Sequence, residues 1–192
     1  MRIGVFGGSF DPPHIGHQAL ATAACDQLEL DRLLLVPCAR SPHKDDGPHL
    51  DGELRVRMLE AMIAGDARME VSRRELDRPP PSYAADTLEM IAADHPGADL
   101  WLVIGGDQLP AFPRWHAIDR ILARCRLAVA GRPGVDDETF SDAAAAVGAE
   151  NLDLIALDPL PVSSSAVREA IAEGRDPGLM LPAEVSDLLP RP

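Results

Sequence analysis

Asp11, His14 and His17 fall within seven positions of one another in "GGSFDPPHIGH", directly behind an apolar run that begins at the second residue. The two histidines are three residues apart and share a face if the segment is helical. They can then meet one phosphate while the first N–H groups of the helix supply further donors. Gly7 and Gly8 ahead of them permit unusual dihedrals or a close approach of backbone to ligand. Taken alone, the same residues also suit two ordinary capping or surface histidines after a glycine turn. Zinc needs additional ligands in suitable geometry, which a histidine pair beside Asp11 does not supply. Neither the GxGxxG fingerprint nor a Walker phosphate loop occurs, so a nucleotide requires a different cradle.

The elements that must position such a cradle are legible in the apolar pattern. "RIGVF" predicts a short buried strand, "HIGHQALATAACDQLEL" a helix and "DRLLLVPC" a second strand whose continuous apolar run suits a sheet covered on both faces. A helix follows in "DGELRVRMLEAMIAG", with Leu54, Met58 and Met62 on one face, then a short strand near "ARMEVS". Ser82 is placed to cap a helix in "SYAADTLEMIAADH". "DLWLVIGGD" is the strongest central-strand signal, followed by a helix or helical turns in "WHAIDRILARC", a strand in "RLAVAGRPG" and a helix in "DDETFSDAAAAVGA". "LDLIAL" is a sixth strand, "SSSAVREAIAEG" a capped helix, and "PAEVSDLL" a short terminal helix with Pro182 in its first turn. Alternating strands and helices predict an α/β fold built as a doubly wound parallel sheet. Such sheets bind ligands beyond the carboxyl ends of their strands, where "GGSFDPPHIGH", "RSPHK", "GGDQ" and "DPLPVSSSAVR" all fall.

At 192 residues the chain reads as a single domain over 1–192, with a short C-terminal helical segment after about residue 160. A net charge of -13 with no basic stripe would repel a phosphate backbone, so a nucleic acid polymer is not an expected partner. Cys25, Cys38 and Cys125 are widely separated and form no CxxC pair, which suits cytosolic thiols rather than a disulfide framework. No apolar run reaches the length of a membrane span, and "MRIGVFGG" is too short for a signal peptide, so a cytoplasmic protein without a membrane partner is expected. Aromatic residues make up only 4% of the chain, so Tyr83, Trp101 and Trp115 are worth placing individually. Trp101, inside "DLWLVIGG", reads as core packing.

"GGSFDPPHIGH" resembles the nucleotidyltransferase signature that carries an (H/T)xGH element, and "VSSSAVR" resembles the late (I/V)SSTxxR element of that superfamily. Between them, "SPHK", "PPPSYAADTLE" and "IGGDQLPAFPRWHAID" resemble further elements of the bacterial nicotinate-nucleotide adenylyltransferases, in order across residues 3 to 190. The resemblance implies a Rossmann-like nucleotidyltransferase fold and transfer of the adenylyl group of ATP to nicotinate mononucleotide, giving nicotinate adenine dinucleotide and pyrophosphate in NAD biosynthesis. It implies ATP recognition around Gly7, Gly8, Ser9 and Phe10, with His14 and His17 on the phosphates and Ser163, Ser164 and Arg168 holding the triphosphate from another strand end. Gly105 and Asp107 fall on the ATP side, Asp107 either toward a ribose hydroxyl or as a turn carboxylate.

Lys44 would neutralise the transferring or leaving phosphates, completing with His14, His17 and Arg168 a catalytic clamp. Asp11 would orient the attacking phosphate or help position hydrated Mg2+, a cofactor carried mainly by the ATP phosphates without direct protein ligands. For the mononucleotide, the resemblance places the pyridine ring near Trp115, with Tyr83, Ala84 and Asp86 sensing its carboxylate and ribose phosphate. Two positions depart from the family pattern. The common "SYT" is here "SYA", losing a hydroxyl at Ala84, and the final threonine of the late element is Ser165. Alternative readings are transfer to nicotinamide mononucleotide, phosphopantetheine or another phosphorylated acceptor, or a catalytically silent nucleotide sensor. The sequence carries no signal of oligomeric state.

Overall fold

Leu33, Leu34, Leu35 and Val36 are all buried, which a strand can achieve only when both faces of its sheet are covered. Leu33 and Leu35 enter one core, with Met58, Leu59, Trp101 and Val167. Leu34 and Val36 enter a second core, with Leu88, Ile91, Leu102 and Phe112. The two-residue period of the strand makes this division. In the computed structural model, which describes residues 1–40, 47–131, 138–158 and 160–189, six parallel strands form one sheet in the order β3-β2-β1-β4-β5-β6. They are β1 (Arg2–Gly8), β2 (Arg32–Pro37), β3 (Met69–Val71), β4 (Asp99–Ile104), β5 (Arg126–Gly131) and β6 (Leu152–Ala156). The direction of winding reverses between β1 and β4, which is where an open α/β sheet leaves a crevice.

One face of the sheet is covered by α1 (Ile15–Gln27), α2 (Gly52–Ile63), α6 (Ser164–Ala172) and α7 (Ala183–Ser186). The other is covered by α3 (Ala84–Asp94), α4 (Ile118–Leu122), α5 (Glu138–Val147) and a 3-10 helix, Gly106–Arg114. Met58 and Met62 are buried and Leu54 packs beside them, as their spacing requires. Trp101 is 7% exposed, with its Nε1 donating to Asp153 at 2.8 Å, and is core as expected. The sheet ends at β6, where Gln27 of α1 donates through Nε2 to the Ala156 carbonyl at 2.9 Å and accepts the Ala156 N–H at 2.8 Å.

Two local expectations, for Ser82 and Pro182, are corrected, and a third is narrowed. Ser82 does not cap α3: the N-cap position belongs to Tyr83, and the Ser82 hydroxyl instead accepts the Ala39 N–H at 3.2 Å. The helix or helical turns expected in "WHAIDRILARC" form a helix of five residues, preceded by Ala117 in a left-handed conformation, φ 56. Pro182 stands at the N-cap of α7 rather than inside its first turn. The 3-10 helix containing Pro110 and Pro113 has no counterpart in the apolar pattern. Ser163 does cap α6, its Oγ accepting the Ala166 N–H at 3.1 Å.

Candidate active site

The carboxyl ends of the strands enclose a cleft of about 1030 Å³, at the upper end of the range for small-molecule sites. Gly7 and Gly8 reach it from β1, Cys38 from beyond β2, Gly105 from beyond β4 and Gly131 from β5, with Ser163 and Ser164 closing it from the start of α6. Of the sequence-predicted residues, Ser9, Phe10, His14, His17, Tyr83, Ala84, Asp107 and Trp115 also line this cleft. Lys44 lies outside the described residues.

At the β1 end, a Cβ on Gly7 would meet nothing within 4 Å, so the chain there leaves open space facing the cleft. Gly8 differs, because a Cβ would approach the Phe10 ring at 3.1 Å. Phe10 is 1% exposed with φ 47, its ring edge-on to Phe6 and His17 at 5.3 and 4.9 Å. This wedge directs the chain into α1. There the His14 and His17 rings stack with centroids 3.7 Å apart, and the His14 main-chain N–H donates to His17 Nδ1 at 3.2 Å. Since His17 Nδ1 accepts, the proton of its neutral ring belongs on Nε2.

Burial lowers the His14 pKa from 6.5 to about 4, so His14 is uncharged at neutral pH. In the cleft as the protein alone forms it, His14 therefore presents a hydrogen-bonding ring rather than a cation. Its buried Nδ1 has no hydrogen-bond partner among the described residues.

The late segment holds the opening turn. Ser164 Oγ donates to the Pro12 carbonyl at 2.9 Å, and Arg168 Nη1 donates to the Asp11 carbonyl at 2.6 Å. Arg168 also stands 3.5 Å from the Asp11 carboxylate and donates through Nη2 to Ser165 at 3.2 Å. The carboxylate of Asp11, 4% exposed, accepts the N–H groups of His49 and Leu50 at 2.9 and 2.8 Å. Neither Asp11 nor Arg168 lines the cleft, so the structure uses both to fasten its wall.

Arg55, which the sequence does not single out, completes this scaffold. It is 2% exposed and donates to the carbonyls of Ser9, Cys38 and Leu50 at 2.7, 2.9 and 3.2 Å. An arginine within an amphipathic helix reads as a solvent-facing one, and no local signal marks it as buried.

Across the cleft, the Tyr83 and His116 rings approach at 4.2 Å and Trp115 packs at 5.5 Å from Phe112. Glu75 also lines the cleft, where burial raises its carboxyl above the usual range and Thr87 Oγ1 hydrogen-bonds it at 2.6 Å. Arg78 donates to the Tyr83 carbonyl and Thr87 Oγ1, both at 3.0 Å, so the turn into α3 is held from behind. Asp86 is not brought to the cleft; Arg120 takes its carboxylate at 3.0 Å on the outer surface. His116 was legible only as the neighbour of Trp115, and Glu75 had no motif around it. Gly106 permits the tight turn after β4, since a Cβ would stand 2.4 Å from the Ala130 carbonyl oxygen.

Among the described residues no group of three or more His, Cys, Asp or Glu could hold a metal ion. No helix among them is long and apolar enough to cross a membrane. A parallel sheet with a glycine-lined crevice at its switch point and a histidine pair opening α1 defines a nucleotide-handling α/β protein.

Residues 5–170 match the family model described as Cytidylyltransferase-like, which sets the class. A Pseudomonas putida protein named "Probable nicotinate-nucleotide adenylyltransferase" is 37% identical over 96% of this chain and 90% of its own. A protein of the same name from Chromobacterium violaceum is 37% identical over 89% of this chain and 87% of its own. The chain belongs to the nicotinate-nucleotide adenylyltransferase family. The fold matches that of the Plasmodium falciparum nicotinic acid mononucleotide adenylyltransferase complexed with NaAD, at TM-score 0.76, 17% identity and coverage of 97% and 93% of the two chains.

Proposed function

We propose that this enzyme joins ATP and nicotinate mononucleotide, releasing pyrophosphate and forming nicotinate adenine dinucleotide for NAD biosynthesis. The observation that carries the reading is one continuous cleft with a glycine and histidine wall at one end and an aromatic wall at the other. ATP would lie over Gly7, Gly8 and Ser9 with its ribose toward Asp107, and the pyridine ring against Trp115. An oxygen of the mononucleotide phosphate attacks the α-phosphorus in line, a new P–O bond forms, and the bond to the β-phosphate oxygen breaks with its electron pair leaving on pyrophosphate.

The nucleophile is already anionic, so the protein's contribution is alignment and charge stabilisation rather than proton removal. His17 Nε2–H and the first N–H groups of α1 face the phosphates as uncharged donors, and Lys44 would supply a cation. Arg168 and Asp11 act one step back by fixing the turn that presents them. Mg2+ carried on the triphosphate supplies charge neutralisation, in keeping with its preference for phosphate oxygens and water over an all-protein cage. Cys25, Cys38 and Cys125, all buried and in no disulfide, suit a cytoplasmic setting.

Purified protein with ATP, Mg2+ and nicotinate mononucleotide should release pyrophosphate and form the dinucleotide in equal amounts. Absence of both products sinks the reading. Nicotinamide mononucleotide is the second candidate acceptor because Ala84 brings no hydroxyl to the acceptor wall, and equal kcat/KM for the two would remove the acid preference.

A further inference from the structure

Arg120 faces solvent outside the cleft and holds two carboxylates of another helix. Its Nη2 donates to Asp86 at 3.0 Å and to Glu89 at 2.7 Å, while its Nε donates to Glu89 at 2.9 Å. Asp86 and Glu89 are three residues apart, so both project from one face of α3. The geometry is a fork closed on two anions, which raises the Arg120 pKa and lowers that of Glu89.

The position of these contacts gives them meaning. α3 begins at Ala84, one residue after Tyr83, and α4 begins two residues after His116. One guanidinium therefore ties together the two elements whose leading residues, Tyr83 and His116, meet in the aromatic wall of the cleft. On the cleft side, the residues leading into the same elements meet through the Tyr83 and His116 rings, and behind them α3 and α4 share one apolar core. Local preference does not hold α4 in place. It has five residues, too few for an independent helix, and it follows Ala117 in the left-handed region, which disfavours a non-glycine residue. Its position must come from tertiary contacts, of which buried Ile121 is one and the Arg120 fork is another.

We infer that Arg120, Asp86 and Glu89 are positioning residues whose clasp sets how the Tyr83–Ala84 segment seats against the Trp115–His116 segment in the aromatic wall, and so the affinity for the mononucleotide acceptor but not for ATP. The inference rests on the acceptor placement proposed above. A different role for Arg120 would be direct long-range attraction of the anionic acceptor. The two roles differ in sign for the acidic partners. If Arg120 attracts the substrate, removing Asp86 and Glu89 frees its field and lowers KM. If the three residues clasp, removing either side raises KM.

The experiment measures KM for nicotinate mononucleotide and for ATP separately, with thermal midpoints, in the wild type, Arg120→Ala, the pair Asp86→Asn with Glu89→Gln, and the triple variant. The expected result is a rise of about twofold to fivefold in mononucleotide KM on removing either side, the range for an exposed ion pair. ATP KM and the thermal midpoint should hold, and the triple variant should be no worse than Arg120→Ala, as coupled residues require. The difference from wild type should shrink in about 0.5 M salt, where exposed pairs are screened. Opposite signs for the two sides, an unchanged mononucleotide KM, or a parallel rise in both KM values with a lost midpoint would each overturn the clasp. Wild-type enzyme that forms no dinucleotide from nicotinate mononucleotide removes the acceptor placement and the clasp with it; a fully active wild type with indifferent variants removes the clasp alone.

Discussion

Arg168 Nη1 donates to the main-chain oxygen of Asp11 at 2.6 Å across 157 positions of sequence. The two phosphate-type motifs of the chain thus meet each other before they meet a ligand. Ser164 repeats the arrangement one residue along, on the Pro12 carbonyl. The turn between β1 and α1 is consequently held from α6, and the histidines inherit their placement from a segment near the other end of the chain.

Arg168→Lys keeps the charge but loses the fork, and should cost about 1.5–3 kcal/mol of stability, the range for a hydrogen bond to a charged group. Ser164→Ala should cost about 1 kcal/mol. Denaturant unfolding reads both, and both variants should lose kcat/KM in step with the displaced turn. A fully stable but inactive Arg168→Lys would assign the side chain to phosphate alone.

His14 predicts a pH dependence of stability. Its folded pKa of about 4 lies below the unfolded 6.5, so the unfolded chain takes up the proton first as pH falls. This contribution is complete above pH 6.5, declines between 6.5 and about 4, and is constant below, for a loss of about 3 kcal/mol. Urea unfolding at several pH values should show a shallower decline in His14→Gln than in the wild type.

His17→Ala and Trp115→Ala should separate chemistry from acceptor binding. Loss of the His17 donor should lower kcat about 100-fold, as for other preorganised donors to a developing anion. Loss of the Trp115 ring should raise the nicotinate mononucleotide KM about twofold to tenfold with kcat less changed. Steady-state kinetics with each substrate varied in turn measures both.

Two glycines should respond in opposite ways to the same methyl group. In Gly7→Ala the methyl enters open space over the cleft, so stability should hold while ATP KM rises by the equivalent of about 1–3 kcal/mol. In Gly106→Ala the methyl meets the Ala130 carbonyl at 2.4 Å, so stability should fall by about 1–3 kcal/mol or more. Thermal midpoints and ATP kinetics on the pair test the contrast.

The strands were legible because Leu33 to Val36 and Leu100 to Ile104 form apolar runs that only a doubly covered sheet buries. The cleft residues near the strand ends were legible from their motifs. Asp86 was read from its motif as an acceptor contact, whereas its carboxylate is taken by Arg120, 34 residues away on a helix of five residues. Arg55 and Glu75 escaped for a related reason. Each is a charged residue buried by long-range packing, and their local sequence is that of an exposed helix or turn. The 3-10 helix at Gly106–Arg114 escaped because Pro110 and Pro113 read as loop punctuation, although a three-residue turn accommodates them.

The two hydrogen bonds from Gln27 to Ala156 have a consequence beyond the fold of one molecule. β6 is a margin of the sheet, and Leu154 beside Ala156 is 48% exposed. An unpaired margin with an apolar side chain invites another chain to add a strand. The Gln27 amide presents one donor and one acceptor to Ala156, the same two groups an incoming peptide would offer. A side chain thus acts as a decoy rung that closes the ladder at that residue, and the two main-chain groups a further strand would need there are already taken by a single amide of α1.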